Sequence, residues 1–492
     1  MHKKTAPPSL LPVPRILDQA EEDRLPHARK IFALRDVPFG EIKALGFDMD
    51  YTLSHYRSPE IDELAFRHAT AYLVQGRGYP AELLTHGFDP SFAVRGLVLD
   101  GVRGNLLKLN RERQVVRATH GTAVLEREEI LEMYSRRRVS AGEPGFRSID
   151  TLFEISESHL YAHLVDLHDL GRLPGRGYQQ IFSDVRWAID AAHREGKMKA
   201  EVLANRSLFI LKDPDLARAL DRWKRAGKKL FVVSNSEWAF TEGVLSHLLD
   251  GQDPARPSWE DYFDLVVVSS RKPAFFTEEP LPEALEGHPR AFSGGNAHWL
   301  EAQLGAQGEE LLYVGDHIYG DILRSKKSLS WRTMLLIPEL GEALQRLEEC
   351  AEELLELMKA ETVRRRALRQ GAMLRDLLKR NREHRHLLAQ RLSPEALRAL
   401  DLEARSLEAD AQGQTLRVRV QEELIAGLTE RLERAFNHNW GSIFRDGYEQ
   451  TRFADQIQQY ACAYTGRISN LYMVDPESTL YAPVPMLPHE RV

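Results

Sequence analysis

The chain has 492 residues, of which 43% are hydrophobic and 28% charged, and its formal net charge is −7. This length allows two or three domains with a substantial core, and the composition is ordinary for a soluble globular protein. An acidic chain has no overall attraction for nucleic acid, and the basic runs Arg136–Arg138 and Arg364–Arg366 are expected on solvated faces.

Cysteine content and hydropathy predict the compartment. Two cysteines, Cys350 and Cys462, are too few for a disulfide framework or a cysteine-based zinc site. Residues 1–14 contain four prolines without the apolar run of a signal peptide, and no stretch of 18 apolar residues occurs. We therefore predict a cytoplasmic protein that binds neither membranes nor nucleic acid.

The predicted elements begin with an extended, proline-rich arm over the first 30 residues. From residue 42, short apolar runs alternate with helical stretches. Continuous apolar runs are typical of a parallel sheet that helices cover on both faces. The clearest predicted strands are Ile42–Phe47, Lys229–Val233, Leu265–Val268, Leu311–Val314 and Thr333–Ile337.

The spacing of the strand ends predicts an insertion. Asp50 and Ser234 are 184 residues apart, far more than one crossover needs, whereas Ser234 and Lys272 are only 38 apart. Within the insertion, Leu97–Val116 is predicted to form a β-hairpin, and the glycine-rich stretch Gly171–Gly177 is predicted to be a loop.

The region from Glu339 to Arg434 is rich in Leu, Glu, Arg and Ala at helical spacing. It predicts two or three long amphipathic helices, with an antiparallel hairpin as one arrangement, and Ser393 and Pro394 are expected to cap and begin a helix. A structural or oligomerisation element is the simplest interpretation.

These observations divide the chain into four predicted parts. Residues 30–118 and 160–345 form a discontinuous α/β core, residues 119–159 an inserted cap with 191–206 as a candidate addition, residues 346–435 a long helical hairpin, and residues 436–492 a C-terminal segment that packs back on the core or cap.

Two carboxylates follow the first predicted strand. Asp48 and Asp50 lie at its carboxyl end, where open α/β sheets place their sites. Asp48 is a candidate nucleophile toward a phosphate ester, and Asp50, on the same side of an extended chain, is a candidate acid/base. Such an attack needs a cation to neutralise the phosphate. Taken alone, both residues also fit a loop or a helix cap.

The next two strand ends add a hydroxyl and a cation. Ser234 and Asn235 follow Lys229–Val233, and the hydroxyl and backbone amides of such a turn can hold phosphate oxygens. A helix N-cap is the alternative. Lys272 follows Leu265–Val268 and would offset the charge of Asp48 and of the phosphate, an ordinary surface lysine being the alternative.

The fourth strand end carries a second acidic pair, Asp316 and Asp321. Because Mg²⁺ prefers carboxylate oxygens, Asp316 is the predicted metal ligand, and Asp321 is predicted to orient Lys272 or a metal-bound water. A glycine-rich turn with a capping Asp explains the glycines but not two acidic residues at this spacing. His317 is expected to be a turn residue, since no His or Cys partner lies at metal-binding spacing.

Four strand ends that carry Asp/Asp, Ser, Lys and Asp/Asp in this order resemble the haloacid dehalogenase (HAD) superfamily of phosphohydrolases. Asp50 is the second Asp of the first motif, which the dehalogenases and P-type ATPases lack, and it therefore indicates a phosphatase. The resemblance implies an α/β fold: a HAD-like Rossmannoid parallel sheet with an inserted cap and, in this chain, a long helical C-terminal extension.

Longer strings resemble the cytosolic purine 5'-nucleotidase family, the HAD-type enzymes that prefer IMP and GMP. The similarity covers residues 30–345 and 436–490 and is weak across the long helices. The strings are Asp48–Leu53, Arg95–Val98, Gly104–Lys108, Arg271–Pro273, Ser293–Gly295, Gly315–Leu323, Ser325–Lys327, Trp331–Thr333, Ile337–Leu340, Gly441–Arg445 and Met486–Glu490.

This resemblance implies Mg²⁺-dependent hydrolysis of a nucleoside 5'-monophosphate, with a purine expected. Asp48 would be the nucleophile and Asp50 the acid/base. Asp48, the Asp50 carbonyl and Asp316 would bind Mg²⁺, and Ser234 and Lys272 would hold the phosphate. The implied substrate-binding residues are Phe153, Glu154, Arg186, Asp190, His193, Lys199 and Asn235. Arg186 and Asp190, four residues apart on a helix, also fit an ordinary ion pair.

The chain departs from the family pattern at two places. Glu154 replaces the Asn that follows the base-stacking Phe153, and an ionised Glu cannot donate a hydrogen bond, which puts the choice of base in doubt. The family's allosteric nucleotide site is partly altered, which puts ATP-type activation in doubt. It matches at Lys327, Gln456 and Tyr460 and differs at Gln459 and Asp150.

Alternatives from other classes stay open. One is a phosphatase of another small phosphoester, or a phosphotransferase that moves phosphate to a nucleoside. Another is a non-catalytic scaffold built on the helices of residues 339–434, against which the intact acidic set argues. A homo-oligomer, either a dimer or a tetramer, is expected, and the preferred base and any effector are left open by the sequence.

Overall fold

The computed structural model describes residues 26–135 and 137–484. Most of the predicted N-terminal arm, Arg136 and the Met486–Glu490 string lie outside these residues. The chain forms two compact units. The first contains the described residues up to Leu64, Ala192–Gly341 and those from Gln456 onward, and the second contains Ala65–Ala191 and Glu342–Asp455.

A nine-stranded sheet organises the first unit. Its seven inner strands are parallel, and the two edge strands, Phe32–Ala33 and Pro282–Ala284, pair antiparallel. In spatial order the strands are Phe32–Ala33, Ala463–Thr465, Arg332–Leu336, Leu311–Gly315, Ala44–Phe47, Lys229–Val233, Leu265–Val268, Ala291–Gly294 and Pro282–Ala284. The predicted α/β fold with a parallel sheet is confirmed.

The apolar strand runs are buried because helices cover the sheet. All four residues of Ala44–Phe47 are buried, as a central parallel strand requires. Gly46 is needed there, since a Cβ would lie 2.2 Å from the Phe231 ring and 2.8 Å from Tyr313. The helices of this unit include Lys197–Ala204, Arg206–Phe209, Leu216–Arg225, Trp238–Leu249, Ala297–Leu304 and Arg324–Leu329, with a π-helical turn at Ile318–Leu323. Among the described residues, no helix combines the length and apolarity needed to cross a membrane.

The second unit contains a five-stranded antiparallel sheet. Its strands, in spatial order, are Ala123–Val124, Val115–His120, Asn105–Leu109, Val98–Asp100 and Phe146–Ser148. The hairpin predicted within Leu97–Val116 is confirmed. The helices Arg127–Tyr134 and Ile155–Asp169 belong to this unit, whereas Glu60–Arg77, Tyr178–Arg194, Leu340–Glu349 and Arg452–Tyr460 run across the unit boundaries.

The two units divide the chain at different residues from the predicted domains. Residues 65–118 and 160–191, predicted as core, group with the second unit, and residues 436–455 do so too. Beyond them, Ala463–Thr465 enters the main sheet between Arg332–Leu336 and Phe32–Ala33, a strand that the sequence did not reveal. Its apolar run is only a few residues long, which is too short to distinguish a strand from a loop by pattern.

Two long helices, Ala351–Leu388 and Pro394–Phe436, form the predicted antiparallel hairpin. Ser393 caps the second helix by accepting a hydrogen bond from the Ala396 N–H, and Pro394 begins it, as predicted. Buried and half-buried residues recur at spacings of three and four, which is the heptad pattern of a coiled coil. On the first helix these inner positions are Leu357, Ala360, Arg364, Ala367, Gly371, Leu374, Leu378, Asn381, Arg385 and Leu388.

The matching inner positions of the second helix are Leu397, Leu400, Ala404, Leu407, Ala411, Gln414, Val418, Gln421, Ile425, Leu428, Leu432 and Ala435. Polar residues interrupt this apolar seam and pair across it. Asn381 donates to Glu403 at 2.8 Å, and Arg385 donates to Asp401 at 3.0 Å.

A cluster of histidines in the second unit predicts sensitivity to acid. His163 stacks on His86 with ring centroids 3.3 Å apart, and His159 lies one helical turn away. Burial lowers the pKa of His163 to about 4, and the neighbouring His86 and His159 act in the same direction. In the unfolded chain His163 takes up a proton as the pH falls through about 6.5, whereas in the folded protein it stays neutral down to about pH 4. Acid therefore favours the unfolded state, and stability is lost as the pH falls through this window.

When the pH is lowered from 7 to 5, we expect the free energy of unfolding of His163→Phe to fall by about 1 kcal/mol less than that of the wild type. The aromatic stack is kept while the titrating nitrogen is removed. Urea denaturation at the two pH values measures the difference. His384→Phe, an exposed position on the first long helix, serves as the control and should behave as the wild type. Equal acid losses in all three proteins would contradict the prediction.

Candidate active site

The register of the parallel strands brings the predicted site residues to one edge of the sheet. Phe47 lies opposite Val232 on one side and Val314 on the other. Asp48 comes one residue after Phe47, and Ser234 and Asp316 come two residues after Val232 and Val314. The three side chains therefore emerge together at the carboxyl ends of three neighbouring strands. The Asp48 N–H donates to the Val314 carbonyl at 2.9 Å, which fixes the start of the first loop.

Lys272 is the buried cation of this edge. Its Nζ lies 2.9 Å from Asp48 Oδ1, 2.7 Å from Asp321 Oδ1 and 3.0 Å from Tyr313 Oη. Burial opposes its charged form, but the Asp321 and Asp48 carboxylates hold the pKa of Lys272 well above its ordinary value. The ordinary surface lysine considered as an alternative is therefore excluded, because the side chain is 3% exposed.

Asn235 braces the loop that carries Lys272. Its Oδ1 accepts hydrogen bonds from the Lys272 N–H at 2.6 Å and the Ser270 hydroxyl at 2.9 Å, and its Nδ2 donates to the Lys272 carbonyl at 3.2 Å. The Asn235 side chain therefore uses both its oxygen and its nitrogen to position Lys272. Sequence analysis did not predict this contact. Ser234 is fully buried, and its Oγ accepts from the Ser236 N–H at 3.0 Å.

Two hydroxyls hold the Asp50 carboxylate. Ser236 Oγ donates to Asp50 Oδ2 at 2.9 Å, and Tyr56 donates to Oδ1. Burial raises the pKa of Asp50, against the opposing effects of Tyr56, Ser236 and the more distant charge of Lys199. A raised pKa suits a group that must first donate a proton. Sequence analysis assigned no role to Tyr56, because an aromatic residue six positions after an Asp has no spacing that predicts a contact with it.

We expect Tyr56→Phe to lower kcat about tenfold with little change in KM, since it removes one hydrogen bond that orients Asp50 and no contact proposed for the substrate. Steady-state kinetics with a thermal melt measures both effects. The control is Tyr262→Phe, because the buried Tyr262 hydroxyl has no hydrogen-bond partner among the described residues. A Tyr56→Phe enzyme with wild-type kcat would show that Asp50 needs no help from this hydroxyl.

Three carboxylates form a candidate metal site. Asp48, Asp316 and Asp321 each offer an oxygen, and these atoms all lie within 4.8 Å of one another. Burial raises the pKa of Asp48, which the Lys272 ammonium opposes. Hard oxygen donors of this kind fit Mg²⁺. The structure thus brings Asp321, and not the Asp50 carboxylate, into the group with Asp48 and Asp316.

Asp321 is fixed on both of its oxygens. Oδ1 accepts from Lys272, and Oδ2 accepts from the His317 N–H at 3.3 Å. Gly315 makes room for it, because a Cβ there would lie 2.5 Å from the carboxyl group. His317 Nδ1 accepts from the Tyr319 and Gly320 N–H groups at 3.2 Å, so His317 orders the turn. These contacts fit the predicted orienting role of Asp321 and a structural role of His317.

The predicted base-binding residues lie partly in each unit. Phe153, Glu154, Arg186 and Asp190 belong to the second unit, and His193 and Lys199 belong to the first. Lys199 Nζ lies 2.5 Å from Glu237 Oε2.

In the second unit, Arg186 pairs with Asp190 at 2.6 Å and with the buried Glu157 at 3.2 Å. The ion pair considered as an alternative is therefore present. Glu154 pairs with Arg147, and its Oε2 accepts from the Asp150 N–H at 2.9 Å. Both of its oxygens are thus used within the protein.

A parallel sheet with an Asp pair, a Ser hydroxyl, a lysine and a second acidic pair at neighbouring strand ends defines a HAD-like α/β phosphohydrolase. Residues 31–492 match the model of the 5' nucleotidase family, and the chain belongs to that family. It is accordingly a phosphoric monoester hydrolase of the nucleotidase kind, and the predicted family resemblance is confirmed.

Curated relatives agree with this membership. A 5'-nucleotidase domain-containing protein of Dictyostelium discoideum is 26% identical over 484 residues, covering 94% of this chain and 74% of the relative. The 5'-nucleotidase domain-containing protein 2 of Homo sapiens is 25% identical over 492 residues, covering 94% of this chain and 85% of the relative. The similarity therefore spans most of both chains.

Proposed function

We propose that this protein is a Mg²⁺-dependent 5'-nucleotidase that hydrolyses nucleoside 5'-monophosphates, preferentially purine ones, through an aspartyl-phosphate. The observation that carries the proposal is the Lys272 ammonium between Asp48 and Asp321, with Asp316 within 4.8 Å of both carboxylates. Attack of a carboxylate on an anionic ester needs positive charge nearby. A buried lysine and an acidic group that can bind a metal ion would supply that charge next to the strand-end carboxylate.

The acidic group would hold Mg²⁺ through Asp48 and Asp316, with the Asp50 carbonyl as a further ligand proposed from the family resemblance. When bound, the ion supplies positive charge that offsets the phosphate oxygens. Asp321 would not need to contact the ion, since both its oxygens already accept hydrogen bonds within the protein. Its part in the proposal is to keep Lys272 in place.

Asp48 is the proposed nucleophile. Its Oδ1 accepts from the Met49 N–H at 2.7 Å and pairs with Lys272, so the carboxylate is held against rotation. A carboxylate oxygen forms the bond to phosphorus while the bond to the ester oxygen breaks. The leaving alkoxide takes its proton from Asp50, which the Tyr56 and Ser236 hydroxyls orient.

Hydrolysis then uses the same Asp50 as a base. It accepts a proton from water, whose oxygen attacks phosphorus and releases inorganic phosphate and the Asp48 carboxylate. Ser234 and Lys272 are the proposed partners of the phosphate oxygens. The balance is one water consumed for one nucleoside and one phosphate released.

The purine preference rests on the segment Asp184–His193 and on Phe153. Arg186 is held by Asp190 and Glu157, so its guanidinium and the acceptor oxygens beside it are fixed before a base arrives. Donors and acceptors that are fixed in this way suit the polar edge of a purine. Glu154 is proposed to position Arg147 and the residues before its helix, because its oxygens already accept hydrogen bonds there and are not free to contact the base.

Phosphate release from the five common 5'-monophosphates, with Mg²⁺ and after EDTA, tests the proposal. We expect release only with Mg²⁺, faster from IMP and GMP than from CMP and UMP. Absence of Mg²⁺-dependent release from every 5'-monophosphate would overturn it. Release from sugar phosphates alone would assign another phosphoester, and a new nucleotide formed from added inosine would assign phosphoryl transfer.

A further inference from the structure

The second long helix has an apolar stripe on its outer surface, besides the seam that faces the first helix. Its residues again follow spacings of three and four, and every one is exposed. Leu402 and Leu416 are 66% and 64% exposed. The outer stripe, as we call it, consists of Ala399, Leu402, Ser406, Ala409, Gly413, Leu416 and Val420.

The outer stripe lies on nearly the opposite face from the inner seam. Each residue of the outer stripe comes two positions after a residue of the inner seam, so at 100° per residue the two stripes are about 160° apart around the helix. A second helix could therefore dock on the outer stripe without displacing Ala351–Leu388. The first helix has no continuous stripe of this kind, because most of its outer positions are charged. Met373 and Leu387 are the apolar exceptions, and the charged positions are Lys359, Arg366, Arg369, Asp376, Arg380 and Glu383.

Charges flank the outer stripe in an order that complements a copy of itself. If the stripe supplies the a and d positions of a second heptad, Arg398 and Arg405 occupy g positions and Glu403 and Asp410 occupy e positions. In a parallel pair of identical helices, each g residue faces the e residue five positions later in the partner. Arg398 would then face Glu403 of the second copy, and Arg405 would face Asp410.

An antiparallel pair would lack this match. There, g positions face g positions, so the flank of Arg398, Arg405 and Arg419 would repel itself. Within the part of the chain that the structure describes, the side chains of Arg398, Arg405 and Asp410 have no hydrogen bond or ion pair, and Glu403 accepts from Asn381 through Oε2 alone. They are therefore available for pairing between two chains.

We infer that the protein forms a parallel homodimer through the outer stripe of Pro394–Phe436, with Arg398–Glu403 and Arg405–Asp410 pairs between the two copies. The four long helices then lie side by side, the two second helices at the centre. Burial of Leu402, Leu416 and Val420 drives the association, and the charge pairs fix its direction.

Sedimentation equilibrium of the full chain tests this. We expect the wild type to be a dimer or a multiple of two and Leu402→Glu/Leu416→Glu to halve its mass. Met373→Glu/Leu387→Glu, which changes equally exposed apolar residues of the first helix (66% and 76%), is the matched control and should keep the wild-type mass. A monomeric wild type, or an unchanged mass for Leu402→Glu/Leu416→Glu, would overturn the inference.

Charge exchange provides a second test that does not depend on the apolar residues. Arg405→Asp or Asp410→Arg alone should weaken the dimer about tenfold or less, whereas the double variant should restore it, because the pair is re-formed with reversed sign. Additive weakening in the double variant would contradict the pairing.

A single cysteine variant tests whether the two second helices of the dimer are parallel. In the parallel dimer Ser406 faces its own counterpart, so Ser406→Cys should give a covalent dimer on mild oxidation, above the background from Cys350 and Cys462. An antiparallel pair or a different partner protein on the stripe would leave Ser406→Cys uncrosslinked and would overturn the arrangement.

Discussion

Asp48→Asn is expected to abolish phosphate release, lowering kcat by at least about 10⁴-fold, because an amide oxygen cannot form the aspartyl-phosphate. The substitution keeps the shape of the side chain, and its Oδ1 can still accept from the Met49 N–H. Lys272 keeps its 2.7 Å contact with Asp321. The fold should therefore persist, which circular dichroism and a thermal melt would verify alongside kinetics.

The control for this substitution is Asp215→Asn. It also replaces a partly buried carboxylate of the first unit, one that pairs with Arg29, and it should leave kcat unchanged. Retention of more than a few per cent of the activity in Asp48→Asn would remove Asp48 from the role of nucleophile. Trapping of phosphate on the wild-type chain after a rapid quench, and its absence in Asp48→Asn, gives an independent measurement.

Lys272→Met is expected to lower both activity and stability. It leaves the Asp48 and Asp321 carboxylates close together without their shared cation, and breaking a buried ion pair in this way costs about 3 kcal/mol. We expect kcat to fall at least about 10³-fold, since the positive charge beside the phosphate is lost. Urea denaturation and steady-state kinetics measure the two effects separately.

A second substitution distinguishes the loss of stability from the loss of activity. Lys272→Met/Asp321→Asn removes one of the unpaired carboxylates, so part of the stability should return while the activity does not. Lys228→Met is the matched control, because Lys228 is also a buried lysine, 3.0 Å from the Phe39 carbonyl. It should lose stability with an unchanged kcat. Full activity in the double variant would show that Lys272 serves the fold alone.

The sheet and its polar edge could be predicted because the signals are local. Lys229–Val233 and Leu265–Val268 have the predicted bounds, and Ala44–Phe47 begins two residues later than predicted. Continuous apolar runs followed by Asp, Ser or Lys mark the carboxyl ends of buried parallel strands, so the meeting of Asp48 and Asp316 follows from strand register alone.

Contacts between distant segments could not be predicted in this way. Asn235 braces Lys272 across 37 residues, and Ser236 reaches Asp50 across 186. Neither pair has a spacing that a helix or strand would reveal. The strand Ala463–Thr465 was missed for the same reason, since its place is set by the neighbours that it pairs with and not by its own pattern.

The polar residues inside the hairpin seam give the two long helices a single alignment. Sliding one helix along the other by a heptad, about 10 Å, would restore apolar contacts almost everywhere. It would also move Asn381 away from Glu403 and Arg385 away from Asp401. Leaving these polar side chains unpaired would cost free energy, so the alignment of the two helices, and with it the turn at residues 389–393, is set by polar pairing as well as by apolar packing.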